Sequence, residues 1–168
     1  MELLTPIKTI TVWQPWATLI ALQLKLLETR GWATKHRGPL AIHAAQKIDR
    51  EACEREPIKS ALAKYGYTVD NLPTGSIVAI ANLSECYQIE RPTPEQIDGG
   101  PIWLKASAGG SKGWAGKFPD EYYFGDYSAG RFAWELTNVQ QLKEPIPAKG
   151  QQGLWNWNHR HRLPAIGE

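Results

Sequence analysis

The chain has 168 residues, enough to bury a core, and we expect one compact domain over residues 1–168. Its 19 basic residues nearly balance its 17 acidic ones, which excludes nucleic-acid binding by global charge and leaves only a local patch. The load of 8 tryptophans suits either core packing or stacking on bases.

The beginning of the chain predicts a strand, a helix and two further strands. Alternation predicts the first strand over residues 7–12, and Pro15 then begins a helix with an apolar stripe. The second strand covers residues 26–30 and places Glu28 and Arg30 on one face, a position that suits either solvent or the lining of a cleft. A turn leads into the third strand at residues 40–45.

The middle of the chain predicts helices and a buried strand. Asp49 can cap a helix, Pro57 interrupts or restarts it, and Gly66 ends it. Residues 76–83 are nearly all apolar, which indicates a central strand.

A glycine-rich segment follows at about residues 91–130, which we predict to be a long loop or insertion. Alternation then predicts a strand over residues 130–136, and prolines at 145 and 147 break the pattern. Strands outnumber helices, and this order of elements favours a small mixed barrel over a parallel sheet.

Several other classes of protein are disfavoured. The two cysteines have no metal-ligand or redox spacing, so we expect free, buried thiols. The start of the chain lacks the features of a signal peptide, and no apolar run approaches the ~20 residues of a membrane span. We therefore expect a cytoplasmic protein with no membrane partner. Cofactor-binding motifs and metal-ligand spacings are missing, so neither a cofactor nor a metal is predicted.

Three blocks of the sequence carry a resemblance to a known family. They are Trp13-Gln14-Pro15-Trp16-Ala17, then Lys25-x-x-Glu28-x-Arg30, then Arg37-Gly38-Pro39-Leu40-Ala41-Ile42-His43-Ala44. Together with Gly130-Arg131-Phe132-Ala133-Trp134 and Gly150-Gln151-Gln152-Gly153-Leu154-Trp155, they resemble the ASCH (activating-signal-cointegrator homology) domain, a branch of the PUA-like fold. One departure is Gln23, where family members usually have glycine. This residue must either adopt a positive φ or change the turn.

The resemblance implies an α+β fold, a PUA-like small mixed β-barrel of five to six strands with flanking helices. It also implies a cleft between the barrel and the first helix, toward which Lys25, Glu28 and Arg30 point. Family members are proposed to bind RNA, and one bacterial branch hydrolyses acetylcytidine nucleosides. That branch has a catalytic threonine at the position of Glu28, so this chain lacks one of its catalytic groups. Ribonuclease activity is also proposed within the family.

The charged residues of the motif have both a ligand-binding and a structural interpretation. Lys25 can act as a base or an anchor, or simply pair with Glu28. Glu28 can read an exocyclic amine or neutralise its neighbours. Arg30 and Arg37 suit bidentate phosphate contacts.

Aromatic and loop residues complete the candidate site. Trp13 and Trp32, at the ends of elements, suit base stacking, whereas Trp16 lies on the helix stripe and is expected in the core. His43 is either a packed or a catalytic histidine. The candidate ligand contacts are Trp13, Gln14, Lys25, Glu28, Arg30, Trp32, Arg37, His43, Tyr127 and Arg131.

The first functional hypothesis is a module that binds single-stranded RNA or a modified nucleoside. The alternative is a hydrolase of nucleoside amides or RNA phosphodiesters, with Lys25 and Glu28 as catalytic groups. A protein-interaction scaffold is the second alternative, favoured if the cleft is filled by the protein's own side chains. Binding ranks first because Glu28 replaces a catalytic residue of the amidase branch.

Overall fold

The computed structural model describes residues 6–90, 102–114 and 119–159. Its strands are β1 (Pro6–Gln14), β2 (Leu27–Arg30), β3 (Gly38–Ile48), β4 (Ser76–Ile89), β5 (Ile102–Lys105), β6 (Ser111–Trp114), β7 (Phe132–Pro147) and β8 (Leu154–Asn158). The helices are α1 (Trp16–Ala21), α2 (Arg50–Glu54), α3 (Ile58–Lys64) and a 3₁₀ helix (Pro119–Phe124). This mixture of strands and short helices confirms the predicted α+β class.

Local sequence signals account for the ends of the helices. The carboxylate of Asp49 accepts a hydrogen bond of 2.9 Å from the backbone N–H of Ala52 and so caps α2 as predicted. Gly66 follows α3 with a φ of 83°. Gln23 also adopts a positive φ of 61°, and its side-chain Nε2 donates to the carbonyl oxygen of Val139 at 3.1 Å. The helix-to-strand turn is therefore kept without glycine.

The strands form a mixed sheet with the order β2-β7-β4-β3-β1-β8. β1 pairs parallel with β3 and antiparallel with β8, and β2 pairs antiparallel with β7. Off this path, β5 pairs with β4 and with β6. Among the described residues β2 and β8 stand at the two ends of the order, so this sheet is open.

The chain forms two compact units. Unit 1 takes its described residues from Met1–Leu24, Gly38–Asn82 and Asn138–Glu168, and unit 2 takes its own from Lys25–Arg37 and Leu83–Thr137. Each unit has its own buried apolar cluster. In unit 1 the cluster contains Ala41, Ile77, Ile80, Trp155 and Trp157. In unit 2 it contains Leu27, Tyr87, Ile89, Ile102, Leu104 and Ala133.

The sheet has 8 strands, more than the five or six expected, because the glycine-rich segment contributes β5 and β6. Gly109 and Gly110 have φ values of 93° and 87°, and this freedom lets the chain reverse between the two strands. Residues 91–101 and 115–118 of that segment lie outside the described residues.

The strand predicted at residues 130–136 extends much further than expected. β7 continues to Pro147 despite the proline at 145, because proline is tolerated in strands where its missing N–H is not needed.

In the described part of the chain, no helix is long and apolar enough to cross a membrane. The same residues contain no cluster of three or more His, Cys, Asp or Glu side chains suited to a metal.

Candidate functional site

The candidate site is built on β2 in unit 2. Leu27 is fully buried and belongs to the apolar cluster of this unit. β2 pairs with β7 through Glu28↔Trp134 and Arg30↔Phe132. Burial does not alternate along β2, because Leu27, Glu28 and Thr29 are all buried. Glu28, expected toward solvent or a cleft, is only 7% exposed.

Lys25 is buried completely, with a side-chain exposure of 0%. Its ammonium group donates a hydrogen bond to the carbonyl oxygen of Leu27. The Nζ atom also lies 3.8 Å from Oε1 of Glu28. A buried ammonium needs such compensation, because its removal from water costs several kcal/mol.

Both carboxylate oxygens of Glu28 are engaged. Oε1 accepts a hydrogen bond of 3.0 Å from the backbone N–H of Thr29, in addition to its contact with Lys25. Oε2 lies 3.4 Å from Nη2 of Arg30. Glu28 therefore lies between the charged groups of Lys25 and Arg30. This arrangement supports the interpretation in which Glu28 neutralises its neighbours.

A second carboxylate, Glu121 of the 3₁₀ helix, closes the buried cluster and is 2% exposed. Its two oxygens accept hydrogen bonds of 2.8 Å each from the backbone N–H groups of Leu26 and Leu27. The hydroxyl of Tyr127 donates to Glu121 Oε1 at 3.3 Å. These contacts fix the 3₁₀ helix against the start of β2.

Burial changes the acidity of this cluster. It raises the pKa of the Glu121 carboxyl, against the lowering effects of the Lys25 charge and of the hydrogen bonds from Leu26, Leu27 and Tyr127. Burial and the neighbouring Glu121 carboxylate likewise raise the pKa of the Tyr127 phenol well above its usual range. Tyr127 therefore stays a neutral hydrogen-bond donor.

The residues after the 3₁₀ helix also pack on β2. The backbone N–H of Asp126 donates to Thr29 Oγ1 at 3.1 Å. At Gly125 a Cβ atom would lie 3.0 Å from the same hydroxyl oxygen, so this close approach favours glycine. Glu121, Gly125 and Asp126 thus pack against β2 and the residue before it.

The positively charged and aromatic groups at the other end of β2 are more accessible. Side-chain exposure is 24% for Arg30 and 32% for Arg131. The side chain of Arg131 lies close to the backbone of Gly31, the residue after Arg30. A Cβ atom added to Gly31 would lie 3.6 Å from Nη1 of Arg131. Trp32 is 39% exposed and packs edge-on against Trp134, with ring centroids 4.9 Å apart.

Comparison with known proteins identifies the family. A family model of the ASCH domain matches residues 10–146. The chain belongs to the ASCH domain family. The match confirms the resemblance carried by the sequence blocks, and with it the PUA-like α+β class.

Two relatives of this ASCH domain have similar sequences. Activating signal cointegrator 1 from Homo sapiens is 26% identical over 149 residues, which cover 87% of this chain and 21% of the relative. The protein of the same name from Mus musculus is 27% identical over 145 residues, covering 84% of this chain and 21% of the relative. The chain thus spans about one fifth of the length of these curated relatives.

Of the predicted contacts, unit 2 of the ASCH domain contains Lys25, Glu28, Arg30, Trp32, Arg37, Tyr127 and Arg131. The guanidinium of Arg37 is engaged by partners outside β2. Its Nη2 atom donates to Glu85 Oε1 at 2.8 Å, and its Nη1 atom donates to two backbone carbonyls. Burial acts to raise the pKa of Glu85, but hydrogen bonds from Cys86, Ser107 and Arg37 lower it overall.

The remaining candidates, Trp13, Gln14 and His43, belong to unit 1. Gln14 is fully buried, and its amide bonds Thr18 and the carbonyl oxygen of Pro73. His43 is 2% exposed and donates through Nε2 to the carbonyl oxygen of Ala148 at 2.7 Å. Burial lowers the pKa of His43, partly offset by this hydrogen bond. Both residues have a structural role in the ASCH domain, and a ligand contact by either stays a prediction.

Sequence reasoning does not find Glu121 or Asp126. Glu121 is separated by more than ninety residues from the backbone groups that it binds. It also lies within the segment that glycine content marks as a loop. The one local signal is the acidic and aromatic run Asp120-Glu121-Tyr122-Tyr123, which by itself indicates only an anchor for that segment.

We predict that Glu121→Ala destabilises the ASCH domain by about 2–3 kcal/mol, because it leaves two backbone N–H groups without acceptors. Tyr127→Phe removes the hydrogen bond to Glu121 and should cost about 1 kcal/mol. Urea unfolding followed by tryptophan fluorescence measures both changes. Equal and negligible losses of stability for the two variants would show that Glu121 does not fix the 3₁₀ helix.

Proposed function

We propose that this ASCH domain binds single-stranded RNA or a modified nucleoside at the accessible end of β2. The observation that carries the proposal is the grouping of two partly exposed arginines, Arg30 and Arg131, with the exposed ring of Trp32. Guanidinium groups bind phosphate oxygens in a bidentate manner, and an indole stacks on a base.

Each arginine of this group lies beside a carboxylate of the protein. Arg30 is paired with Glu28 at 3.4 Å, and Nε of Arg131 lies 3.5 Å from Oδ2 of Asp126. The hydroxyl and backbone N–H of Ser128 and the charge of Arg131 lower the pKa of Asp126, so this carboxylate is ionised at neutral pH. Each arginine therefore has a carboxylate neighbour, and a phosphate must compete with it.

The structure of the aromatic pair favours a fixed stacking platform. Trp134 is fully buried, and its indole N–H donates to the carbonyl oxygen of Trp32 at 3.4 Å. Trp134 thus contacts both the ring and the backbone carbonyl of Trp32, while part of the surface of Trp32 stays exposed. A platform of this kind recognises the π-face that all bases share, which predicts weak sequence preference.

The proposal predicts that fluorescently labelled oligouridine binds the ASCH domain at low salt and that Arg131→Ala weakens binding about fivefold to tenfold. The slope of log affinity against log salt concentration should fall by about 0.7 for each phosphate that the variant no longer neutralises. Fluorescence anisotropy over a salt series measures both quantities.

Arg55→Ala is the matched control, because Arg55 is exposed and follows α2 in unit 1. It should leave affinity and salt slope nearly unchanged. No binding of oligouridine or nucleosides at low salt would contradict the proposal. A folded ASCH domain that binds no nucleic acid would instead favour the protein-interaction alternative.

Hydrolysis is a second candidate because an amine, two carboxylates and a phenol come together around Lys25. The cluster contains Lys25, Glu28, Glu121 and Tyr127. Groups of these types serve as acids, bases and nucleophiles in enzymes. In this arrangement, however, Lys25 has no exposed surface and its ammonium is engaged by Leu27 and Glu28. The geometry therefore supports binding more than catalysis.

We expect no turnover when the ASCH domain is incubated with an acylated cytidine or with mixed RNA. Chromatography of the products measures this directly. If the wild-type protein turns over a substrate and Lys25→Met does not, hydrolysis becomes the first proposal and binding the second. Turnover that is equal in both proteins would assign the reaction to a site other than Lys25.

A further inference from the structure

Trp13 is an exposed tryptophan in unit 1, with 47% of its surface accessible. Its exposure follows from the alternation of β1, since the neighbouring side chains of Val12 and Gln14 are both buried. A large apolar ring held outward on a strand gains little stability from burial. Such a residue is a candidate for contact with a partner.

Lys47 lies directly beside this ring. Its Nζ atom is 4.0 Å from the centroid of the Trp13 ring, a cation–π distance. The pairing of β1 with β3 has a register shift at this point: Val12 pairs with Ala44, but Gln14 pairs with Ile48. Three residues of β3, including Lys47, therefore lie opposite the single residue Trp13, and this brings Lys47 beside the ring. Bulges of this kind commonly redirect side chains at functional positions.

A second lysine, Lys149, lies in the segment between β7 and β8 that contacts the β1–β3 pair. Lys149 is exposed, and both of its chain neighbours touch His43. Ala148 accepts the hydrogen bond from the imidazole, while a Cβ on Gly150 would lie 2.7 Å from Cε1 of His43 and 3.1 Å from Oγ1 of Thr11.

Alternation places Trp13 on the same face of β1 as Thr11, two residues further along the strand. The segment that carries Lys149 therefore contacts this face two residues before the tryptophan. Asp49, which follows β3, uses its carboxylate to cap α2 through Ala52, so its charge is directed toward that helix. The face thus combines one accessible indole with Lys47, and the exposed Lys149 lies in the segment that packs on it.

We propose that unit 1 carries its own contact for single-stranded nucleic acid, with a base stacked on Trp13 and phosphates at Lys47 and Lys149. The ammonium of Lys47 covers part of the ring, yet nearly half of the Trp13 surface remains accessible. Alternating aromatic and basic groups on an exposed strand face suit a strand of bases and phosphates. This inference rests on the proposed function, because it assigns the same class of ligand to a second set of residues.

The test uses the full chain and labelled oligouridine of about a dozen nucleotides, a length within the range that single-strand-binding domains cover. We expect Trp13→Ala to weaken binding about tenfold, and Trp13→Phe to restore most of the affinity because it keeps a stacking ring. Lys47→Ala should reduce the salt slope by about 0.7. The matched controls are Tyr65→Ala, an aromatic residue that is also 47% exposed, and Lys64→Ala, and both should bind normally.

Combination with Arg131→Ala separates this inference from the proposed function. Weakened binding in Trp13→Ala and in Arg131→Ala supports both contacts. Weakened binding in Arg131→Ala alone overturns the contact at Trp13, and weakened binding in Trp13→Ala alone overturns the site at β2. Unfolding curves confirm that each variant is folded, and normal salt slopes in Lys47→Ala would by themselves overturn the role of that lysine.

Discussion

The buried ammonium of Lys25 is the constraint on which the rest of unit 2 depends. With no exposed surface, the charge requires the carbonyl oxygen of Leu27 and the carboxylate of Glu28 as partners. Removal of one member of a buried pair typically costs about 3–5 kcal/mol, because the other charge stays buried without compensation. β2 supplies both of these partners, and Glu121 of the 3₁₀ helix contributes a second carboxylate nearby.

This internal pairing divides the polar residues of the motif into two groups. Lys25 and Glu28 are buried and engage internal partners, whereas Arg30, Arg131 and Trp32 retain accessible surface for a ligand. Each arginine keeps a carboxylate neighbour, which agrees with the nearly balanced charge of the whole chain. Binding by such a site should be sensitive to salt and should rely on stacking as much as on charge.

The features that sequence predicts correctly are those that depend on neighbours along the chain. Asp49 as a helix cap follows from local geometry and is present in the structure. For Gln23 the sequence left two alternatives, a positive φ or a changed turn, and the structure has the positive φ. The β5–β6 hairpin escapes prediction because the same glycines that mark a loop also permit a tight reversal. Glu121 escapes it because its hydrogen-bond partners are distant in sequence, and no local rule connects a loop carboxylate to a remote strand.

The rate at which Lys25 is acylated in the native protein tests the central claim most directly. Peptide mass spectrometry can compare this rate with that of Lys64, which is exposed on α3. The buried pair predicts that Lys25 reacts at least about tenfold more slowly, because acylation must await local opening, and that urea removes the difference. Equal rates for Lys25 and Lys64 in the native protein would contradict the internal role assigned to Lys25.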